Sequence, residues 1–112
     1  MVVAGGVIPD IIPDNSPQAE VVREYQKEFV LRYKTPVSMF GGQAHDALWI
    51  VAKAIEAARS DKREDVRNAI ERTTNFVGFQ GIISYSSESH RGPTTESLWL
   101  VDIKDGRMVL AH

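Results

Sequence analysis

The stretch that most constrains this chain is Phe40-Gly41-Gly42-Gln43-Ala44-His45-Asp46-Ala47-Leu48-Trp49-Ile50-Val51-Ala52-Lys53-Ala54-Ile55-Glu56-Ala57-Ala58. It reads as a glycine-hinged loop running into the most apolar segment of the sequence. Ala44, Ala47, Leu48, Val51, Ala54, Ile55 and Ala58 recur at three- and four-residue steps, which places them on one face of a helix. Trp49 and Ile50 widen that face. A helix apolar over most of its girth needs partners on more than one side, so this segment is expected to be the buried central helix, with alanines that permit close packing.

The rest of the chain is read outward from that helix. At 112 residues it suits one modest domain. Thirteen basic and fifteen acidic side chains leave a net charge of -2, with the two signs interspersed, so no basic field exists to hold a phosphate backbone and nucleic-acid binding is not expected. The absence of cysteine excludes a disulfide framework and a thiolate metal site. No run reaches the roughly 20 apolar residues that span a bilayer. The opening residues lack a basic leader and are too short for a signal segment. Met1 reads instead as a start residue placed before an internal strand, and the sequence is expected to be a piece of something longer.

Val2 to Ile8 is expected to be a strand or extended crossing, after which Pro9, Pro13 and Asp14-Asn15-Ser16-Pro17 form a loop. Ser16 and Pro17 are read as the cap and first position of a helix. Its apolar face carries Val21, Val22, Tyr25, Phe29 and Tyr33, and it ends near Lys34, ahead of Pro36. A third, short helix is expected to open at Ser60-Asp61 with a capping box from Asp61 to Glu64, burying Val66, Ala69 and Ile70. Strands are expected at Gly81 to Tyr85, around Leu98 to Ile103 and at Met108 to Leu110, with Ser86 to Thr95 a polar loop and Asp105-Gly106 a hairpin turn.

Chemistry is sought and largely not found. His45 and Asp46 are neighbours on a helix, about 100° apart, and so cannot jointly hold one proton or ion. They are read as one half-buried residue and one capping or solvated residue. His90 lies in a polar loop and His112 is terminal, without the spacing of a zinc site. No serine lies in a G-x-S-x-G elbow. Gly78-Phe79-Gln80-Gly81 has the GxxG form of a backbone clamp for RNA but lacks basic residues, and is read as a tight turn beside a packed aromatic. Gly5-Gly6 has no following lysine for a phosphate loop. Met39 and Phe40, at the mouth of the central helix, are candidates for presentation to a cleft, with a core role for Phe40 as the alternative.

The order of these elements resembles the C-terminal portion of type I solute-binding proteins, the periplasmic or extracellular receptors of ABC importers for branched-chain amino acids and related ligands. FGGQAHDALWIVAKAIEAA resembles the family's aromatic-x-x-x-Ala-Tyr-Asp-Ala helix start. FVGFQGIISYSSESHRG resembles its F-x-G-x-x-G-x-I segment and the acidic, His-x-Gly turn that follows, SLWLVDIKDGRMVL its final hairpin, and IPDNSPQAEVVREYQKEFVLRY the segment before the central helix. The similarity covers essentially all of residues 1–112, which are read as the C-terminal segment of one solute-binding domain.

The resemblance implies an α/β fold: a fragment of a two-lobe receptor whose lobes are joined by crossing strands and close on a solute, with about three helices followed by short C-terminal strands. It implies a receptor without catalysis or cofactor, which binds a branched-chain amino acid or a related small carboxylate or aromatic acid and delivers it to a membrane permease. By position Phe40 matches an aromatic that contacts the ligand side chain in the family, and Met39 and Gln43 are its neighbours. His45 departs from the family's usual tyrosine. A ligand-sensing regulatory domain of the same fold and a stand-alone interaction module are the alternatives. Taken alone, the fragment is expected to self-associate as a symmetric dimer that packs the central helices, or exchanges the terminal strands, between copies.

Overall fold

The computed structural model describes residues 2–5 and 8–111. The expectations for Gly6, Val7 and His112 lie outside the described residues. Strand β1 (Val2–Gly5) is followed by a short 3-10 turn at Pro9–Ile11 and three helices, α1 (Ala19–Tyr33), α2 (Met39–Ala58) and α3 (Arg63–Glu71). Strands β2 (Phe76–Val77), β3 (Ile82–Ser84), β4 (Gly92–Pro93), β5 (Trp99–Lys104) and β6 (Arg107–Leu110) complete the chain. They form two antiparallel three-stranded sheets, ordered β1-β5-β6 and β2-β3-β4.

The first sheet ties the two ends of the chain together, with Val2 opposite Asp102 and Gly5 opposite Trp99. Its hairpin turns as expected: Lys104 pairs with Arg107, and Asp105 and Gly106 take φ of 51° and 73°. Two successive left-handed residues match the strand twist, which is why an Asp-Gly pair serves there. Two strands were not legible in the pattern. β2 and β4 span two residues each, too few to show alternation, and β4 converts the end of the expected polar loop into the partner of Ile83 and Ser84.

Helix boundaries shift in instructive ways. The hydroxyl of Ser16 does accept a backbone N–H, from Gln18 at 3.3 Å, but α1 opens only at Ala19. Gln18 is the residue before the helix, and its side chain is used elsewhere, as described below. α1 closes at Lys34, where φ of 58° lets its N–H reach the Val30 carbonyl at 2.9 Å. In α3 the expected capping box does not form. The helix begins at Arg63, and the hydroxyl of Ser60 instead donates to Asp65 Oδ2 at 2.6 Å while accepting from the Lys62 N–H. Its inward side is as expected, with Ala69 buried and Val66 and Ile70 half-buried.

The central helix departs most from the reading. Phe40-Gly41-Gly42 is not a hinge loop but the first turn of α2, capped by Ser38, whose Oγ accepts from the Gly41 N–H at 3.2 Å. The residues this chain buries are Gly42, Asp46, Ile50 and Ala54, at a strict four-residue step. Of the expected buried face only Ile50 and Ala54 are covered, whereas Leu48 is 73% exposed and Val51 and Ile55 are exposed with it. Periodicity identifies which face is apolar. Which face is covered depends on what the chain can lay against it, and here α1, α3 and the 78–81 turn leave Leu48, Val51 and Ile55 uncovered.

Among the described residues one small core cluster forms from Ile12, Val22 and Phe79, with Tyr25 and Trp99 packed against them. A radius of gyration of 15.7 Å exceeds the roughly 13 Å expected of a compact chain this long. The chain is correspondingly elongated, 51 × 34 × 21 Å along its principal axes. No described helix is long and apolar enough to cross a membrane.

Candidate functional site

The site is built on the N-terminus of α2, where Met39 and Phe40 occupy the first turn and Gln43 follows. Met39 and Gln43 lie four residues apart and so share a face. Phe40 is 74% exposed, Met39 is exposed and Gln43 is half-buried. The turn that carries this exposed ring is packed from behind by Tyr25 and Phe79.

That support begins with the glycines. A Cβ on Gly41 would stand 2.7 Å from Tyr25 Oη, and one on Gly42 would stand 2.1 Å from a ring carbon of Phe79. Glycine costs about 1 kcal/mol in a helix relative to alanine, and here it is required because α1 and the Phe79 ring press directly on the α2 backbone. Phe79 is fully buried and is fixed on three sides. Its ring meets Tyr25 edge-on at 5.3 Å, its carbonyl accepts from Gln18 Nε2 at 3.0 Å, and its N–H donates to Asp46 Oδ1 at 2.7 Å. Asp46 Oδ2 accepts from the Gln80 N–H at 2.8 Å, so one carboxylate clamps both amides of the turn. Gly78 lies against that carboxylate, at a distance that excludes a Cβ, and its N–H closes the turn onto the Gly81 carbonyl at 2.9 Å.

We expect Gly42→Ala to destabilise the chain by about 1–3 kcal/mol, the usual range for overpacking, because a ring pinned at both its N–H and its carbonyl cannot retreat. Gly41→Ala is expected to cost less, since the half-exposed Tyr25 side chain can move away. Thermal unfolding followed by circular dichroism would rank the two, and equal losses would show that the Phe79 contact is not the rigid one.

The reading of 78–81 as a tight turn beside a packed aromatic holds. Of the His45-Asp46 pair, Asp46 does cap, but it caps a distant turn and is only 2% exposed. With both oxygens taken by backbone N–H groups it is a structural anchor. His45 is the half-buried member, its Nδ1 standing 3.7 Å from Asp46 Oδ1. Burial, and to a lesser degree Tyr33 and Asp46, push the Tyr25 phenol above its ordinary range, so it stays protonated and neutral. Gln18 was missed entirely by sequence reasoning, because nothing local marks a glutamine as the partner of a carbonyl far along the chain.

A separate groove of about 560 Å³ runs between α1 and α2, lined by Tyr25, Phe29, Tyr33, His45 and Trp49 among others. Met39, Phe40 and Gln43 do not line it, so the structure places the three candidate residues on a surface distinct from this cavity. Among the described residues no cluster of His, Asp and Glu could hold a metal ion.

The chain belongs to the periplasmic binding protein family, whose model matches residues 2–107. Its fold is similar to that of an extracellular ligand-binding receptor from Rhodopseudomonas palustris HaA2, with a TM-score of 0.84 at 23% identity over 98% of this chain and 33% of that one. It is likewise similar to the leucine binding protein LivK from Thermotoga maritima MSB8, with a TM-score of 0.75 at 20% identity over 100% of this chain and 30% of that one. A periplasmic binding protein type 1 from Bordetella pertussis Tohama I gives 0.69 at 21% identity over 96% and 32%. No curated protein sequence matches the chain. The chain thus spans about a third of the length of the solved structures it resembles.

Proposed function

We propose that this chain forms part of the solute-binding component of an ABC importer, working in the periplasm or outside the cell. It contributes one wall of the cleft that takes up a branched-chain amino acid, or a related small carboxylate or aromatic acid, for delivery to a membrane permease. The family match over residues 2–107 supports the receptor role, and the likeness to a leucine binding protein supports the ligand class. The observation that carries the site is Phe40, exposed on the capped first turn of α2 while the backbone beneath it is pinned by Tyr25 and Phe79. A rigid support lets an apolar ring meet a ligand side chain without first being ordered, which preserves its contribution to affinity. Met39 would extend the apolar surface, and the Gln43 amide would supply a hydrogen-bonding group at its edge.

In this reading nothing is done to the solute chemically. It is bound, enclosed and passed on. The test is calorimetric titration of the full-length receptor that carries this chain with leucine, isoleucine, valine and small aromatic acids. Phe40→Ala is expected to weaken the best ligand by about 1–3 kcal/mol, the contribution of a buried apolar ring, or roughly five- to 150-fold in Kd. Unchanged affinity in that variant would remove Phe40 from the cleft.

A further inference from the structure

The groove between α1 and α2 contains a hydrogen-bond arrangement that the receptor role does not use. His45 and Trp49 stand one turn apart on α2, and the indole Nε1–H donates to His45 Nε2 at 3.1 Å. An indole nitrogen can only donate, so Nε2 must accept. The imidazole is therefore neutral and carries its proton on Nδ1. That nitrogen is buried and, among the described residues, has no hydrogen-bond partner. The Asp46 carboxylate stands 3.7 Å from it, beyond a hydrogen bond, and both oxygens already accept backbone N–H groups.

We infer that His45 is a proton-operated latch on Trp49. Protonation places a hydrogen on Nε2, where it confronts the indole N–H. Two donors cannot share a bond, so the tie to Trp49 is lost. The imidazolium gains in exchange the nearby Asp46 charge on its own helix and, across the groove, the Tyr25 ring, tilted by 52° at a centroid distance of 4.8 Å. On α1 the groove also presents the carboxylates of Glu24 and Glu28, which favour the cation, and Arg32, which opposes it, with Tyr33 further along. Lys53, a turn beyond Trp49 on α2, opposes it as well, while β2 adds only Phe76 and Val77. Trp49 is already half in solvent, so once untied it is free to turn outward. Its ring is a wall of the groove, and the groove widens on the acid side of the transition. The device shares Asp46 and Tyr25 with the support of the α2 terminus, while Met39, Phe40 and Gln43 do not line its groove.

The test is nitrogen-15 NMR of the labelled 112-residue chain. Long-range imidazole spectra at about pH 8 are expected to show His45 as the Nδ1–H tautomer, a reading that needs no variant. As the sample is acidified from about pH 8 to about pH 5, the Trp49 indole resonance is expected to move in step with the His45 ring. That resonance is identified by its loss in Trp49→Phe. Its movement is expected to vanish in His45→Gln and to persist in His90→Gln, where the exposed histidine is removed instead. Finding His45 as the Nε2–H tautomer, a Trp49 resonance indifferent to pH, or the same movement in His45→Gln would overturn the latch.

Discussion

Replacing Asp46 by alanine is expected to be the most damaging single change in this chain, costing about 3–6 kcal/mol of stability. Hydrogen bonds to a charged group contribute about 1.5–3 kcal/mol each, and this carboxylate accepts two, from the N–H groups of Phe79 and Gln80. Removing it leaves both donors facing a vacated, nearly solvent-free space. Phe79 would then lose one of its anchors, and with it the contact across Gly42 that positions the first turn of α2. Since folded domains are stable by only about 5–15 kcal/mol, Asp46→Ala should be largely unfolded in moderate urea where the parent chain is folded. Asp46→Asn keeps one acceptor but turns an N–H donor toward the second amide, and is expected to lose at least half as much. Urea titrations followed by circular dichroism measure both. A loss below about 1 kcal/mol for the alanine variant would mean that water replaces the carboxylate and that the clamp is not what holds the turn.

The second large effect concerns assembly. We expect the isolated chain to sediment as a dimer at micromolar concentration, not as a 12.5 kDa monomer. Leu48, Val51 and Ile55 follow one another at helical spacing along α2 and are all exposed, with Ala44 and Ala47 beside them offering no bulk to keep a second helix away. At about 25 cal/mol per Å², covering several hundred Å² on each of two copies yields on the order of 20 kcal/mol, more than the roughly 4–15 kcal/mol cost of association. A two-fold arrangement that lays α2 against its own copy satisfies both faces at once. Leu48→Glu with Val51→Glu would place like charges across that axis and should return the chain to a monomer. Sedimentation equilibrium decides the matter, and a wild-type monomer under those conditions would show that the α2 face tolerates water without a partner.

The contrast between these two expectations marks what could be read from the residues alone. Helical periodicity placed α1, α2 and α3 and the apolar stripe of each, and Asp105-Gly106 placed the final hairpin, because those signals are local: spacing along a helix and two left-handed residues at a turn are properties of a short window. The motif order was also enough to indicate the family. What the window could not contain was which neighbour each face would meet. Gly41 and Gly42 look like a hinge until Tyr25 and Phe79 are seen pressing on them, and then they are helix. Asp46 looks solvated or locally capping until a turn more than thirty positions away is found resting on it. The stripe of Leu48, Val51 and Ile55 looks like core, yet in this chain it faces out, because burial depends on what lies opposite, and the sequence states only what would accept it.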